Sequence, residues 1–570
     1  MLLAAALAFR LLDSAGVPHT EVELAGSRAT VFAFLAPGCP LSNRVTPVLE
    51  SLAASYAPRG VRFFAVNAGR SLPFPDLRDA DRTLARQLDA KVTPQVVVVD
   101  ASSRRLYTGR VDDRMIVLGI SRPGATRDDL RLALEDILAN RPVAVPSTRA
   151  AGCAIEFPRK APPGAPVYSK QIAPILFRHC APCHRPSGAA PFPLLTWNDA
   201  AIRATTLAEV AAARTMPPWL PAPNPLHPFR GERRLPDRDI ALLRAWAEAG
   251  APEGSVSETP QPPMFPAPAK PDAEAAMRAP FSVPATGDDL YRCFVIPLPL
   301  DSARHVRAFQ FLPGAKQVVH HALLFLDRSG AARRRDAETP EPGYPCFGTP
   351  GFLPTSALGG WTPGTELVDY PDGGAVTVHP GTDLVLQLHY HPDGMARTDA
   401  SSVALFFQPD APKRRMMDVP LGSRKIDIAA GTSRYVVRDA FTLPIDVDAT
   451  GIIPHAHYLA REMRGWATLP SGQRIDLLHI PRWDFDWQQH YRWVAPIRLP
   501  EGTRFEMEFT YDNSDANPKN PFRPVRRVVW GPDSTDEMAG LHLQVMPVRN
   551  EDAEELGRAL WGKMMRDRLR

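Results

Sequence analysis

The sequence lacks any run of about 20 apolar residues, the length an α-helix needs to cross a membrane, so we expect no transmembrane segment. Its formal net charge of +4 is small for 570 residues, and nothing argues for nucleic-acid binding. No repeat of fixed period is found. Hydrophobic residues at 44% and charged residues at 22% are typical of ordered globular protein, and the length predicts about three to five domains.

Cysteine is scarce, but two of the six cysteines stand in Cys180-Ala181-Pro182-Cys183-His184. This is the attachment sequence for c-type haem, in which two thiols bond the porphyrin and the histidine binds the iron. A disulfide or half of a zinc site is the alternative, but zinc would need a second pair of ligands at metal-binding spacing. Because such haem is attached outside the reducing cytoplasm, the motif predicts a periplasmic or secreted protein. The apolar N-terminus lacks the basic start of a signal peptide.

A low-spin haem that carries electrons needs a sixth iron ligand. Met216 lies on a Pro-rich loop after a predicted helical stretch at 197–213, and its thioether would raise the haem potential. Met264 is the second candidate, and a buried structural methionine is the alternative interpretation of Met216.

Residues 1–150 alternate strand and helix patterns and predict an α/β domain. Cys39 follows the first strong strand at the start of a helix, where the helix dipole would lower the pKa of the thiol. Thr93-Pro94 before a Val-rich strand fits a cis-proline turn. Together these features resemble a thioredoxin-like or peroxiredoxin-like domain.

Two residues depart from that resemblance. Ser42 stands where a Cys-x-x-Cys pair would have its second cysteine, and Ala36 stands where peroxidases of this fold carry threonine. Cys39 is therefore interpreted as a monothiol, as a partner of Cys153, or as a relic in a domain that serves for docking.

The rest of the chain divides by pattern. Residues 151–255 hold the haem motif and predict a small all-α, cytochrome c-like domain, and 256–278 form a Pro-rich linker. Short alternating strands then predict two all-β sandwich domains, jelly-roll-like, at 279–425 and 426–550. An amphipathic helix at 551–570 ends the chain and is expected to dock on the body.

Several histidines occur at metal-ligand spacing. His455 and His457 are two apart, so on a strand they share a face and can bind one metal. His320 and His321 are adjacent, so on a regular strand their side chains diverge, and both reach one metal only at a bulge or a twisted strand end. Two adjacent histidines on a mostly buried strand are unfavourable unless they are bonded.

Four stretches in one order, Gln317–Phe325, Leu386–Tyr390, His455–His457 and Ser534–Met538, closely resemble the ligand motifs of the copper type II, ascorbate-dependent monooxygenases. That family includes peptidylglycine α-hydroxylating monooxygenase and dopamine β-monooxygenase, and the resemblance covers roughly residues 285–548. It implies two copper ions. One is an electron-transfer copper and the other an oxygen-activating catalytic copper; their ligands would be His320, His321 and His389 for the first, and His455, His457 and Met538 for the second.

The ligand types suit copper on chemical grounds as well. Three imidazoles fit a copper that cycles between two oxidation states, and a thioether beside two imidazoles favours Cu(I). Zinc is the alternative metal for the three-histidine set. His391 and Met463 are the other candidate ligands, and Cys293 and Cys346 are expected to form a disulfide.

The substrate positions differ from those of the peptide-amidating members. Where those enzymes carry an arginine that holds the substrate carboxylate, this chain has Ile453, and their Asn and Tyr after the Met ligand correspond to Gly540 and His542. A C-terminal glycine substrate is therefore not expected.

The leading hypothesis is a copper monooxygenase that hydroxylates a C–H bond of an unknown organic substrate with O2. Electrons would come from ascorbate or a redox protein and enter through the c-type haem. A copper and haem protein for electron relay or metal handling, without oxygenase activity, is the second hypothesis. A thiol peroxidase with passenger domains is the third, and Ala36 and Ser42 weaken it.

Overall fold

The computed structural model describes residues 7–569 except 38, 119, 123, 158, 187, 266–268, 286, 288, 364, 366, 372, 393 and 394. The chain divides into two compact units. One comprises Met1–Trp219 and Arg233–Phe265, and the other comprises Leu220–Glu232 and Pro266–Arg570. Among the described residues, no helix combines the length and the apolar character that crossing a membrane requires.

The N-terminal part of the first unit is a five-stranded mixed sheet with helices. Its strands, in spatial order, are Asp76–Leu77, Val61–Val66, Ala29–Phe34, Gln95–Val99 and Arg105–Gly109. The helices are Pro40–Tyr56, Thr83–Gln87 and Asp129–Leu138. Every residue of the strand Ala29–Phe34 is buried, because Val31 and Ala33 face one core cluster and Phe32 and Phe34 face another. The sequence predicts strands at 29–35, 61–66, 96–99 and 105–111 and helices at 41–57, 82–88 and 127–139, and each lies within two residues of its observed counterpart. The strand Asp76–Leu77 was not predicted. The Thr93–Pro94 peptide is cis, as expected.

The remainder of the first unit is mainly helical. Its helical segments are Tyr168–Ile172, Ala173–His179, Trp197–Ala201, Ala204–Ala212 and Asp237–Glu248, and they share one core that includes Trp246. The single helical stretch expected at 197–213 is two helices, because Arg203 has a non-helical backbone and begins the second. Three short antiparallel pairs complete the described strands of this unit: Arg10–Leu12 with Pro18–Thr20, Met115–Val117 with Ile120–Ser121, and Val92–Thr93 with Cys153–Ala154.

The second unit is rich in antiparallel strands. Two five-stranded sheets contribute to one core. The first contains Ala273–Ala276, Ser402–Gln408, Arg304–Leu312, Val368–Asp369 and Val376–Val378. The second contains Tyr344–Pro345, Leu290–Pro297, Asp383–Tyr390, Val319–Asp327 and Ser356–Trp361. The linker expected at 256–278 is thus shorter, because Ala273–Ala276 pairs with Ser402–Leu405. Cys293 and Cys346 form a disulfide.

Two four-stranded sheets follow: Met417–Gly422, Gly540–Pro547, Val447–His455 and Tyr491–Leu499 in one, and Tyr435–Thr442, Arg504–Tyr511, Ala460–Thr468 and Arg474–Ile480 in the other. The two-stranded pairs are Phe281–Val283 with Arg397–Asp399 and Asp427–Ile428 with Val528–Val529. The helix Ala331–Asp336 interrupts a region where the sequence predicts almost only strands and turns; Asp327 accepts a hydrogen bond from the Ala332 N–H in its first turn. The chain ends in the helix Ala553–Leu569.

A short segment from the middle of the chain also belongs to the second unit. Residues 220–232 lie within the predicted haem domain in sequence, yet they pair with the strands of the C-terminal region. Phe229 forms a β-bridge with Trp493, and the backbone of Ala222 donates to the carbonyl oxygen of His479.

Candidate metal centre

Three histidines on two neighbouring strands converge on one point. Nδ1 of His321 lies 3.3 Å from Nδ1 of His320 and 3.2 Å from Nδ1 of His389. Within the described part of the chain, these residues form one group of possible metal-ligand side chains whose ligand atoms all lie within 4.8 Å of one another. Such a set of imidazole nitrogens is suited to holding a metal ion.

A β-bulge brings the adjacent histidines together. The strand Val319–Asp327 pairs with Asp383–Tyr390, and its register shifts between Val319 and His321. The extra residue breaks the strict alternation of side chains, so His320 and His321 no longer point to opposite faces. Such a bulge, or a twisted strand end, is what the adjacent positions of His320 and His321 in the sequence require if both are to bind one metal.

Asp289 links the three-histidine group to its surroundings. One carboxylate oxygen accepts a hydrogen bond from Nδ1 of His391 at 2.7 Å, and the other lies 3.2 Å from Nε2 of His389. Burial alone would raise the pKa of Asp289, but its close contacts with His389 and His391 hold that pKa well below its usual range. A carboxylate at Nε2 fixes the orientation of the His389 ring and leaves Nδ1 for a metal. Tyr291 stacks on a face of that ring, with centroids 4.2 Å apart.

The second predicted ligand group lies at the end of the strand Val447–His455. Nε2 of His455 is 3.4 Å from Sδ of Met538, and the rings of His455 and His457 are 5.3 Å apart. His457 lies just past the strand rather than on it, so the chain turn, and not the alternation of a strand, brings the two rings together.

Hydrogen bonds select which ring nitrogen each of these histidines can offer. Nδ1 of His455 bonds to Oε1 of Gln488, and Nδ1 of His457 lies 3.3 Å from the carbonyl oxygen of Asp536. Since both acceptors require an N–H at Nδ1, we assign the lone pair of each ring to Nε2.

A buried glutamate holds the backbone that carries two of these ligands. The carboxylate of Glu537 accepts hydrogen bonds from the backbone N–H groups of His457 at 2.6 Å, Met538 at 2.8 Å and Leu459 at 2.9 Å. Burial raises the pKa of Glu537 to about 8, although these N–H groups act in the opposite direction. The backbone at His457 and the backbone at Met538 are thereby held by one side chain, that of Glu537.

The two ligand groups are neighbours within the second unit. The His321 and His455 rings are 6.3 Å apart between centroids. Phe485, which is 3% exposed, stacks on His320 at 4.5 Å and contacts His457 edge-on at 5.6 Å. The two predicted ligand groups are therefore adjacent, and Phe485 contacts one histidine of each.

The electrostatics of the cluster keep its imidazoles neutral. Burial lowers the pKa of His455 to about 4. It also lowers the pKa values of His320, His321 and His457 well below their ordinary value. Neutral imidazoles retain the lone pairs that a metal ion requires.

The other candidate ligands have different surroundings. His391 bonds to Asp289, which itself contacts His389, so His391 acts on the ligand group through that carboxylate. Met463 is fully buried in the strand Ala460–Thr468 between Ile480 and Phe509 of the flanking strands.

The Cys-x-x-Cys-His motif lies at the end of the helix Ala173–His179 in the first unit. Nδ1 of His184 is 3.0 Å from the carbonyl oxygen of Phe192, which fixes the proton on Nδ1 and leaves Nε2 for an iron. Burial raises the pKa of the Cys180 thiol to about 12. Met216 is half-buried and follows the helix Ala204–Ala212 by four residues; Met264 is almost fully exposed. The residues present fit a covalently attached haem.

Cys39 begins the helix Pro40–Tyr56 and is 1% exposed. Its Sγ lies 2.7 Å from Sγ of Cys153, one of the partners that the sequence leaves open. The hydrogen bond from Cys153 lowers the pKa of the Cys39 thiol to about 5, against the effect of burial.

The sequence does not predict four residues of this site: Asp289, Gln488, Glu537 and Phe485. Glu537 precedes Met538 in a quoted motif, so it could have been named as an adjacent acidic residue. The other three stand far from the motifs in sequence, and no local pattern marks them.

No protein-family model matches the sequence, and no curated protein matches it. Among solved structures, the chain is similar to a hypothetical protein from Sinorhizobium meliloti, at 27% identity over 27% of this chain and 92% of that one, with a TM-score of 0.24. It is similar to an uncharacterized conserved protein from Geobacillus kaustophilus, at 29% identity over 27% and 92% of the chains, with a TM-score of 0.25. A secreted disulfide oxidoreductase of Mycobacterium tuberculosis matches at 21% identity over 23% and 95%, with a TM-score of 0.17. TM-scores this low support no conclusion about fold or activity.

Proposed function

We propose that this protein is a copper-dependent monooxygenase that hydroxylates a C–H bond of an organic substrate with O2. The observation that carries the proposal is the convergence of His320, His321 and His389 through their Nδ1 atoms at 3.2–3.3 Å. The His455 and Met538 pair, 3.4 Å apart, lies beside them. In fold terms, we infer two jelly-roll-like sandwiches for the copper region and a thioredoxin-like and a cytochrome c-like domain before them.

The donor sets fit copper better than zinc. When bound, copper would supply one-electron chemistry and, at a site with a thioether, a Cu(I) state able to react with O2. The chain would hold one ion through three imidazole Nδ1 atoms and the other through two imidazole Nε2 atoms and Met538. Zinc in proteins is bound by nitrogen, oxygen and thiolate ligands rather than thioethers, and it does not change oxidation state.

The residues around the ligands fix the proton positions on which this chemistry depends. Asp289 and Gln488 each act on the ring nitrogen that faces away from the ligand cluster. Glu537 holds the backbone of both His457 and Met538. These groups orient the rings before any metal arrives, whereas burial keeps the imidazoles neutral, because contact with Asp289 raises the pKa of His389 and contact with Gln488 raises that of His455.

The substrate is proposed to lack a carboxylate that must be anchored by arginine. Of the three departures from the amidating enzymes, Ile453 and His542 are cross-strand partners, and the third, Gly540, pairs with His455. His542 bonds to Asp418 at 2.6 Å. An apolar residue at this position favours a neutral or apolar substrate over a C-terminal glycine.

Electrons are proposed to enter through a haem held by Cys180, Cys183 and His184, with Met216 as the candidate sixth ligand. Ascorbate or a reduced redox protein would be the donor. The attachment motif and an oxidised Cys293–Cys346 disulfide both favour a periplasmic or secreted location.

The experiment uses the full chain purified from a host that attaches haem, loaded with copper. Two copper ions per chain are expected, together with substrate-dependent O2 uptake and, in stopped flow, reoxidation of reduced haem when O2 is added. His321→Ala should bind one copper and lose O2 uptake, whereas His379→Ala, which changes an exposed histidine of the same region, should retain both.

Other outcomes separate the alternatives. Two bound coppers without O2 uptake coupled to a product would favour electron relay or metal handling. A chain that binds no copper, or that loses nothing in His321→Ala, would contradict the proposal.

A further inference from the structure

A second pair of reactive side chains lies in the first unit, independent of the predicted metal ligands. The Sγ atoms of Cys39 and Cys153 are 2.7 Å apart, compared with about 2.05 Å in a disulfide bond. The two residues are 114 positions apart in sequence, so the fold rather than a local motif brings them together. Cys39 Sγ also contacts the carbonyl oxygen of Thr93 at 3.0 Å.

An added strand carries Cys153 to this position. Cys153 and Ala154 pair antiparallel with Thr93 and Val92, immediately before the cis peptide of Pro94. The strand is anchored further along, because the N–H of Ile155 donates to the carbonyl oxygen of Lys91 at 2.8 Å. The two segments form a two-stranded pair of their own, and such main-chain pairing is a general way to hold an extended peptide, here one from the same chain.

Glycine is required where the strand begins. A Cβ atom on Gly152 would lie 2.5 Å from the carbonyl oxygen of Thr93 and 2.8 Å from its carbonyl carbon. Because backbone atoms cannot yield cheaply, a side chain at 152 would push the segment away from Cys39.

The same segment is bonded to the helix Ala204–Ala212. The N–H of Ala154 donates to Oγ1 of Thr206 at 2.9 Å. The carboxylate of Glu156 accepts from the N–H of Thr205 at 2.7 Å and from its hydroxyl at 3.0 Å. Cys153 is therefore held from both sides, and its approach to Cys39 does not depend on a free loop.

We propose that Cys39 and Cys153 form a dithiol–disulfide couple that exchanges electrons with an external dithiol, a second redox activity of the chain. Cys39 is 1% exposed and Cys153 is half-buried, so the attack on the disulfide falls on Cys153. Cys153, on the strand Cys153–Ala154, takes the place of the second cysteine of a Cys-x-x-Cys pair, whose position in this chain is occupied by Ser42.

The exchange balances in two steps. A thiolate of the donor attacks Sγ of Cys153, the bond between the two cysteines breaks, and Cys39 leaves as a thiolate. The second thiolate of the donor then attacks the donor sulfur of the mixed disulfide, and Cys153 leaves and takes a proton. The donor dithiol loses two electrons and becomes a disulfide, Cys39 and Cys153 gain them, and one proton is released to solvent. The lowered pKa of Cys39 makes it a good leaving group.

The test titrates the full-length, haem-loaded and copper-free protein across mixtures of reduced and oxidised dithiothreitol, followed by alkylation and mass spectrometry. Cys39 and Cys153 should gain alkyl groups together in one two-electron transition, while Cys293 and Cys346 remain bonded throughout. Gly152→Ala should shift the transition toward the dithiol by at least about tenfold in the exchange constant, and Gly124→Ala, where a Cβ meets nothing within 4 Å, should not.

Independent alkylation of the two cysteines, or a disulfide that resists reduction until the protein unfolds, would overturn the couple. So would two free thiols at every mixture. The wild-type titration decides these outcomes even if a variant fails to fold. Because copper is absent, the result does not depend on the proposed monooxygenase.

Discussion

Replacing Gln488 with leucine tests whether hydrogen bonding of the outer ring nitrogen governs the second ligand group. Oε1 of Gln488 accepts a hydrogen bond from Nδ1 of His455, and Gln488 is buried, with 7% of its surface exposed. In Gln488→Leu the Nδ1–H of His455 loses its acceptor, and an unsatisfied buried donor costs about 1–3 kcal/mol. The ring lowers that cost in part by moving its proton to Nε2, which lies 3.4 Å from Sδ of Met538, a weak acceptor. Copper must then displace this proton, so we expect roughly 10–100-fold weaker binding, which corresponds to about 1.4–2.8 kcal/mol.

The assay is copper competition with a chelator, in a His321→Ala background that removes the first ligand group from the measurement. Gln489→Leu is the matched control because it changes the neighbouring buried glutamine, also 7% exposed. An unchanged affinity in Gln488→Leu, or an equal loss in Gln489→Leu, would refute this account of the tautomer.

Three further outcomes are expected. Asp289→Asn should weaken copper at the three-histidine group by roughly 10–100-fold in the same competition assay, because the carboxylate no longer orients His389; an unaltered affinity would count against that function. Met538→Leu conserves volume and should cost less than about 1.5 kcal/mol in thermal unfolding, yet lower the copper potential in a redox titration because Cu(I) loses its thioether. The thiolate absorbance of the reduced protein, measured against Cys39→Ser, should disappear as the pH falls through about 5. The pKa of Cys39 in the folded protein lies below its ordinary value of 9. The stability that the Cys39 thiolate contributes is therefore complete above pH 9 and is lost as the pH falls toward 5. Cys153→Ala should move that midpoint upward.

The elements of the fold were predictable where burial pattern alone decides them. The strand Val61–Val66 matches its predicted bounds, and the helix Pro40–Tyr56 differs by a residue at each end, because long apolar runs and helical spacing leave few alternatives. The helix Ala331–Asp336 was not predictable in this way, since its charged sequence carries no apolar face and Asp327 stabilises its start.

The candidate site, like the fold, was predictable only where local sequence pattern decides it. Histidine spacing indicates which residues can act as ligands, and the need for a bulge at His320 and His321 follows from strand geometry. Asp289 and Gln488 could not be found, because each meets its histidine through tertiary packing across more than 30 positions of sequence. The pairing of Cys39 with Cys153 remained one of several alternatives for the same reason.

The segment 220–232 changes how the two units can be separated. The chain passes from the first unit to the second after Trp219, returns after Glu232, and leaves again after Phe265, so the units are connected by three covalent crossings. A single protease cut in the Pro-rich stretch before residue 265 would leave residues 220–232 attached to the N-terminal fragment and still paired with the C-terminal one. A chain truncated to begin at residue 266 would instead uncover Trp493, which is 2% exposed and stacks on Phe229 at 5.7 Å. Expression of the second unit alone therefore requires residues 220–232 as well.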